Sequence, residues 1–241
     1  MNEPDFAYVA ALAGEPARAA MLAVLFDGRA IPAGQLARTA GVSAATASAH
    51  LAKLLDGGLI RVRAQGRHRY YELARPEIAQ ALEALGAIAP AAPVRSLSDS
   101  LRMQRLRFAR SCYNHLAGEL ALLVAQALVR REALGVEDGG FRLRDGAREA
   151  FLAAGVDTAT LFRDPHAHVR ACIDWTERRH HISGPLGAAL LQALFECGAL
   201  RRKSEPRALE VTESGKAFLR RVFGIDVACE KSADRAAGKS A

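Results

Sequence analysis

Residues Leu36 to Leu73 constrain the fold most, because they join two short helical patterns to a strand pair. Apolar residues at helical spacing run from Ala33 to Ala40 and stop at Gly41, which can supply the positive φ of a tight turn between helices. The Ser43 hydroxyl can cap a second helix from about Ala44 to Leu55. The pattern therefore predicts a helix-turn-helix.

A β-hairpin is predicted directly after the second helix, which Asp56-Gly57-Gly58 ends. Apolar and polar residues alternate from Leu59 to Leu73 around the turn Ala64-Gln65-Gly66-Arg67. Ile31-Pro32 is expected to add a short third strand. A helix-turn-helix followed by such a hairpin is a winged helix-turn-helix.

Positive charge is concentrated on the predicted wing, whereas the second helix carries small residues and hydroxyls. Arginines on a wing fit DNA phosphates, and a slim helix fits the major groove. The alternative is an ordinary solvated surface, which the neighbouring helix-turn-helix makes less favourable. The wing residues expected at DNA are Arg61, Arg63, Arg67, His68 and Arg69.

The motif Leu-Ala-Arg-Thr-Ala-Gly-Val-Ser-x-x-Thr-x-Ser-x-His-Leu, with the later Gly-Arg-His-Arg-Tyr-Tyr, resembles the ArsR-type winged-helix regulators of bacteria. The resemblance covers roughly Phe6 to Leu85 and implies double-stranded DNA as partner. It places these residues at the groove or its phosphates: Ser43, Ala44, Ala45, Thr46, Ser48 and Ala49. Alanine cannot hydrogen-bond a base edge, so base readout is expected to be thin and phosphate contacts and DNA shape correspondingly important.

The resemblance also implies a homodimer, built from the first helix and the helix predicted over Pro76 to Leu85. Many such regulators bind metals through cysteines on the first helix of the motif or through acidic and His residues after the wing. Here Gln35, Leu36 and Ala37 occupy the first place, and only Glu77 and Glu83 lie in the second. No metal and no cofactor are therefore expected.

Composition indicates a globular chain whose partner is anionic. The 241 residues are 50% hydrophobic, and the formal net charge is +7. The N-terminus lacks the pattern of a signal peptide, and no apolar run reaches the length of a membrane span, so a cytoplasmic protein without a membrane partner is expected. The cysteines form no CxxC pair, which favours reduced thiols.

The predicted domains are a DNA-binding domain over 1–88, a linker over 89–100 rich in Ala, Pro and Ser, and a C-terminal domain over 101–228. A disordered tail is expected over 229–241. Two short helices, Phe6 to Ala13 and Pro16 to Phe26, are expected to pack behind the motif. Leu101 to Leu134 is predicted as one long helix that opens with a basic turn. The fold class expected from these patterns is mainly α.

The C-terminal half contains a weak internal repeat. His115 to Leu134 aligned with His181 to Leu200 gives eight identities without a gap. Each copy, about 112–157 and 178–226, is predicted to be a degenerate winged-helix-like unit. The alternative is that two Ala- and Leu-rich helices agree through composition alone.

Five residues of this half are candidates for an effector site: Cys112, His115, Cys172, Trp175 and His181. Thiols and imidazoles could converge on a soft metal or form a redox site if the copies pack together. Arginines from Arg102 to Arg110 are expected to lower the pKa of Cys112 if its thiol is partly exposed. Two alternatives remain: ordinary buried side chains, or an organic-ligand pocket walled by Trp175, Cys112, Tyr113 and Phe108.

No catalytic motif is found: GxGxxG after a strand, GxxxxGK[ST], HExxH and GxSxG are absent, so no enzyme and no catalytic residue are predicted. The sequence favours a homodimeric DNA-binding repressor that an effector releases. The alternatives are an architectural nucleic-acid-binding protein without effector and a thiol-based metal or redox sensor.

Overall fold

A computed structural model describes residues 3–66, 68–90, 96–137, 139–159, 161, 164, 167–203 and 205–227. Arg67, residues 91–95 of the predicted linker and the whole predicted tail, which includes Cys229, lie outside these residues. Ten helices and twelve strands are found in the described part of the chain, so the fold contains both helices and strands and is not purely α.

The N-terminal half is a winged helix-turn-helix with its own hydrophobic core. Its elements are α1 (Phe6–Gly14), α2 (Pro16–Leu25), β1 (Ile31–Pro32), α3 (Ala33–Ala40), α4 (Ala44–Asp56), β2 (Ile60–Gln65), β3 (His68–Leu73) and α5 (Pro76–Ile88). Strand β3 is central in an antiparallel sheet of order β1-β3-β2, which confirms the short third strand. Met21, Leu36 and Leu54 are fully buried where α2, α3 and α4 meet.

Two local signals set the helix-turn-helix as the sequence predicts. Gly41 ends α3 at φ 65°, a left-handed conformation that glycine adopts without steric cost. The Ser43 hydroxyl accepts a hydrogen bond from the Thr46 backbone N–H at 3.2 Å and caps α4. Gly57, the residue after α4, packs directly against Leu12. A Cβ at Gly57 would lie 2.1 Å from a Leu12 methyl.

The C-terminal half has a separate core and alternates hairpins with helices. Its elements are α6 (Leu97–Phe108), β4 (Arg110–Cys112), β5 (His115–Ala117), α7 (Glu119–Arg130), β6 (Leu134–Glu137), β7 (Gly140–Leu143), α8 (Ala147–Ala153), β8 (His168–Val169), β9 (Ala171–Ile173), β10 (His180–Ile182), α9 (Gly184–Glu196), β11 (Leu200–Arg202), β12 (Leu209–Val211) and α10 (Glu213–Phe223). The order hairpin, helix, hairpin, helix occurs first from β4 to α8 and again from β9 to α10.

The prediction of one long helix over Leu101 to Leu134 is wrong, because the β4–β5 hairpin separates two helices, α6 and α7. Gly118 lies at φ 90°, and a Cβ there would meet the Arg107 carbonyl oxygen at 2.6 Å. Tyr113, in the hairpin turn, also has a positive φ. A continuous helix is incompatible with these backbone conformations. Helix α6 also begins at Leu97, inside the predicted linker.

No single helix among the described residues is long and apolar enough to cross a membrane. Helices α1 and α2 reach that length and composition only together, and they are bent by 88°. Helix α2 contributes Met21, Leu22 and Leu25 to the N-terminal core.

Candidate nucleic-acid interface and thiol-imidazole cluster

Helix α4 presents an exposed face opposite its core residues Ala47, Leu51 and Leu54. All six residues that the sequence assigned to this face are exposed: Ser43, Ala44, Ala45, Thr46, Ser48 and Ala49. The Ser43 and Thr46 hydroxyl oxygens lie 2.9 Å apart and therefore engage each other at the helix start. Ser48, two residues after Thr46, is a further exposed hydroxyl on this face.

The wing carries exposed basic side chains, and an acidic residue lies among them. Arg61, Arg63, His68 and Arg69 are exposed, whereas Arg67 is outside the described residues. Glu72 accepts hydrogen bonds from Arg61 Nε at 2.8 Å and from Arg63 Nη2 at 3.3 Å. Glu72 was not singled out in the sequence, although strand alternation places it opposite Arg61. Its carboxylate offsets part of the positive charge that the wing offers to phosphates.

Cys112 and His115 fall within the predicted long helix, but in the structure they pair across the antiparallel hairpin β4–β5. Cys172 and His181 pair in the same way across β9–β10. Residues directly opposite each other in such a pair have side chains on the same face of the hairpin. Each hairpin therefore presents one thiol and one imidazole together.

The two hairpins bring these four side chains into one cluster, hereafter the CHCH cluster (Cys112, His115, Cys172 and His181). Its potential ligand atoms all lie within 4.8 Å of one another. The two Sγ atoms are 4.0 Å apart, and the Nε2 atoms of His115 and His181 are 3.1 Å apart. Cys112 and both histidines are buried, and Cys172 is partly exposed.

Burial and mutual contacts shift the pKa values within the cluster. The hydrogen bond with Cys112 lowers the pKa of Cys172 to about 6, against the effect of burial. The same contact and burial raise the pKa of Cys112 well above its ordinary value. The arginines preceding Cys112 are expected to lower its pKa only if the thiol is partly exposed; the thiol is buried, so this condition is not met. Burial lowers the pKa of His181 to about 4 and also lowers that of His115, so both imidazoles are neutral near pH 7.

Trp175 is not part of the CHCH cluster. The Arg110 guanidinium carbon lies 4.4 Å from the centroid of its ring. A cavity of about 190 Å³ opens beside the cluster and is lined by Cys112, Tyr113, Cys172 and residues of α5, but by neither Trp175 nor Phe108. The organic-ligand pocket predicted from these aromatic residues is therefore not assembled as expected.

Asp174 is a buried residue that holds the two hairpins in place. Its Oδ2 accepts hydrogen bonds from Arg110 Nη2 at 2.8 Å and the Gly118 N–H at 2.7 Å. Its Oδ1 accepts from the backbone and side chain of Thr176 and from the Glu177 N–H. Burial alone would raise the pKa of Asp174, but Arg110 and these hydrogen bonds hold it well below the usual range.

The hairpin that carries Cys112 also contacts the N-terminal half. The Tyr113 N–H donates to the Phe26 carbonyl oxygen at 2.6 Å, and the Ser111 hydroxyl donates to buried Asp27 at 2.7 Å. The two donors are the neighbours of Cys112 along the chain, and the two acceptors directly follow α2. Helix α2 in turn packs on α3 and α4.

Helix α5 is joined to the same hairpin through an ion pair. The buried Glu83 carboxylate pairs with Arg207, and Arg207 Nε donates to the Ser111 carbonyl oxygen at 3.0 Å. Sequence reasoning considered Glu83 only as a weak metal-ligand candidate. Its pairing partner lies 124 positions away, beyond the reach of local patterns.

Comparisons with known proteins agree with the helix-turn-helix. The family model described as a helix-turn-helix domain matches residues 13–63. The chain is 39% identical over 224 residues to the uncharacterized HTH-type transcriptional regulator YdfF of Bacillus subtilis (strain 168), a match that covers 93% of this chain and 99% of that protein. The similarity therefore includes the C-terminal half.

The two solved structures described next each match about a third of the chain. NolR from Sinorhizobium fredii is 26% identical, covering 38% of this chain and 100% of that one, with a TM-score of 0.33. The homodimeric winged helix-turn-helix DNA-binding domain Mb0332 from Mycobacterium bovis is 26% identical, covering 34% of this chain and 75% of that one, with a TM-score of 0.32.

Proposed function

Because the chain belongs to the HTH-type transcriptional regulators, we propose that it is a homodimeric repressor that occupies an operator and leaves it when an effector binds. The observation that carries this proposal is the exposed face of α4 beside the basic wing. Helix α4 enters the major groove, and Arg61, Arg63 and Arg69 contact phosphates. A repressor needs only to occupy its site in one conformation and release it in another.

The proposed dimer uses apolar side chains that the described chain leaves exposed on its outer helices. Phe6 and Tyr8 on α1 are 75% and 49% exposed, and Leu85 and Ile88 on α5 are 48% and 78% exposed. Exposed apolar residues grouped on one element favour an interface between protein chains. A twofold dimer presents two α4 helices to adjacent turns of the major groove.

The C-terminal half serves dimerisation or effector binding in this proposal, and the domain limits 1–88 and 101–228 stay predictions. The hairpin-helix-hairpin-helix order supports two winged-helix-like units, about 112–157 and 178–226. The thiol-imidazole contacts favour an effector-responsive protein over a purely architectural one. We place the protein in the cytoplasm, where operator DNA is found, and expect no enzymatic activity.

Selection of duplexes from a random-sequence library by the purified protein tests DNA recognition. The expected product is a twofold-symmetric site whose half-sites lie about one helical turn, roughly 10 bp, apart. Tight but sequence-indifferent binding would instead support the architectural alternative. Ala44, Ala45 and Ala49 cannot donate or accept hydrogen bonds at base edges, so we expect only a few strongly selected positions in each half-site.

A further inference from the structure

We propose that the CHCH cluster binds one borderline-soft divalent cation, of which Zn²⁺ is the representative, in a tetrahedral site of two thiolates and two imidazoles. Two sulfur and two nitrogen ligands in this geometry are typical of zinc sites in proteins. The proposal revises the expectation that the chain binds no metal. The site lies in the C-terminal half, away from the positions on α3 and α5 considered in the sequence.

The separation between the two nitrogens and the separation between the two sulfurs are close to the corresponding edges of a zinc tetrahedron, and all four ligand atoms lie within 4.8 Å of one another. Ligand distances of roughly 2.0 Å for nitrogen and 2.3 Å for sulfur imply edges of about 3.3 Å between nitrogens and about 3.8 Å between sulfurs. The Nε2 atoms of His115 and His181 are 3.1 Å apart, and the sulfurs of Cys112 and Cys172 are 4.0 Å apart. A cation between the two hairpins would contact all four residues once their side chains close the remaining nitrogen–sulfur gaps, which are at most 4.8 Å.

The remaining imidazole nitrogens face groups that suit a metal site. When Nε2 of a histidine binds a metal, Nδ1 carries the proton and is commonly oriented by an oxygen acceptor. His181 Nδ1 is buried without a hydrogen-bond partner and lies 4.0 Å from Asp174 Oδ2. His115 Nδ1 lies 3.4 Å from the Asn114 side-chain oxygen. Both histidines therefore have an oxygen near Nδ1 while Nε2 points into the cluster.

Packing alone gives a weaker account of the four side chains. Without a cation, one imidazole can donate a single hydrogen bond to the other, and the thiols make only a weak contact. Burial of such polar groups has a free-energy cost that apolar residues would avoid. The cavity beside Cys112, His115 and Cys172 gives a cation a route to the site. A thiol that is protonated before binding releases its proton when the cation binds.

Occupancy of the site is transmitted to the DNA-binding half, a step that rests on the proposed function. Ser111 and Tyr113, the neighbours of Cys112, hydrogen-bond to Asp27 and to the Phe26 carbonyl oxygen. The cavity also includes Ala79 and Gln80 of α5. A cation that draws the two hairpins together therefore acts on the ends of α2 and α5, the elements that support α4 and the wing.

Cobalt substitution tests the cation site, because tetrahedral Co²⁺ bound to thiolates has visible d–d bands and a near-ultraviolet charge-transfer band. The full-length, reduced protein is titrated with Co²⁺ and then with Zn²⁺. We expect one Co²⁺ per chain, a tetrahedral spectrum and its loss on zinc addition. An octahedral spectrum, or no saturable binding, would overturn the site.

Variants assign the spectrum to these residues. Cys112→Ser with Cys172→Ser should remove the charge-transfer band, and His115→Gln should weaken binding at least about tenfold while leaving a thiolate band. Cys197→Ser is the matched control, because Cys197 is an exposed cysteine outside the cluster. An unchanged spectrum in the double variant, or a loss in Cys197→Ser, would overturn the assignment. Circular dichroism of His115→Gln separates lost ligation from lost folding.

DNA affinity measured with and without Zn²⁺ tests the transmission step. We expect the wild type and Cys197→Ser to change affinity about five- to a hundredfold between the two states, and the double cysteine variant to change little. Equal affinity in both states, with the cobalt spectrum intact, contradicts transmission but leaves the cation site. Absence of DNA binding in every state contradicts the proposed function instead.

Discussion

The Nε2 atoms of His115 and His181 lie 3.1 Å apart, although 66 positions separate the two residues along the chain. Two hairpins produce this contact, since each pairs one of the histidines with a cysteine. Asp174 holds the hairpins together through Arg110 and the Gly118 N–H. The contact thus depends on a buried ion pair between distant segments.

The first prediction concerns the phosphate contacts of the wing. Arg67→Ala with Arg69→Ala should weaken binding to all DNA sequences nearly equally, because phosphate contacts do not depend on the base. The dependence of log affinity on log salt should flatten by up to about two units. Fluorescence anisotropy over a salt series measures both effects. Arg178→Ala, a charge removal in the C-terminal half, is the control; a loss restricted to the operator would contradict phosphate contacts.

The second prediction concerns Glu72, which pairs with Arg61 and Arg63. Glu72→Gln should free both guanidinium groups and strengthen binding to any duplex by roughly two- to fivefold at low salt, since exposed ion pairs contribute up to about 1 kcal/mol. The gain should shrink as salt rises. Glu77→Gln on α5 gives the same charge change away from these arginines. Equal gains in both variants would mean that only net charge matters.

The third prediction concerns Ser48, an exposed hydroxyl on the α4 face. Ser48→Ala should relax the preference at one base position by about 1 kcal/mol, whereas nonspecific DNA binding should stay intact. Selection from a random-sequence library compares the two proteins position by position. If the variant selects the same site as the wild type, Ser48 does not read a base.

The fourth prediction concerns Asp174, whose side chain is fully buried with Arg110. Asp174→Asn should lower the free energy of unfolding by about 3 kcal/mol or more, because it leaves a buried guanidinium without its counter-charge. Urea denaturation followed by circular dichroism measures the loss. Asp157→Asn is the matched control, since Asp157 is exposed and caps a turn locally. Similar stabilities for the two variants would show that Asp174 does not support the hairpins.

The winged helix could be predicted closely because its determinants are local. Gly41 requires a left-handed conformation, Ser43 caps the next helix, and the alternation from Leu59 to Leu73 defines the hairpin. Glu72 was overlooked because its effect depends on which face of the hairpin carries charge. The alternation that predicts the hairpin nevertheless also places Glu72 opposite Arg61.

The C-terminal half could be predicted less well because distant contacts determine it. An apolar pattern from Leu116 to Val129 favours a helix, but it cannot show that Arg110 is buried against Asp174. The cysteine and histidine candidates were identified from residue type, and their cross-strand pairing was missed. The two hairpin loops differ in length, so Cys112 lies three positions before its partner histidine and Cys172 lies nine before its own.

Mapping the genomic DNA bound by the purified protein, with and without cell extract, tests most directly the claim of an effector-controlled regulator. We predict a small number of discrete fragments that share one symmetric site and are lost when extract is added. Extract from which proteins have been removed should release them equally, because the proposed effector is a cation or small molecule. Uniform recovery of genomic DNA, unaffected by extract, would contradict the account.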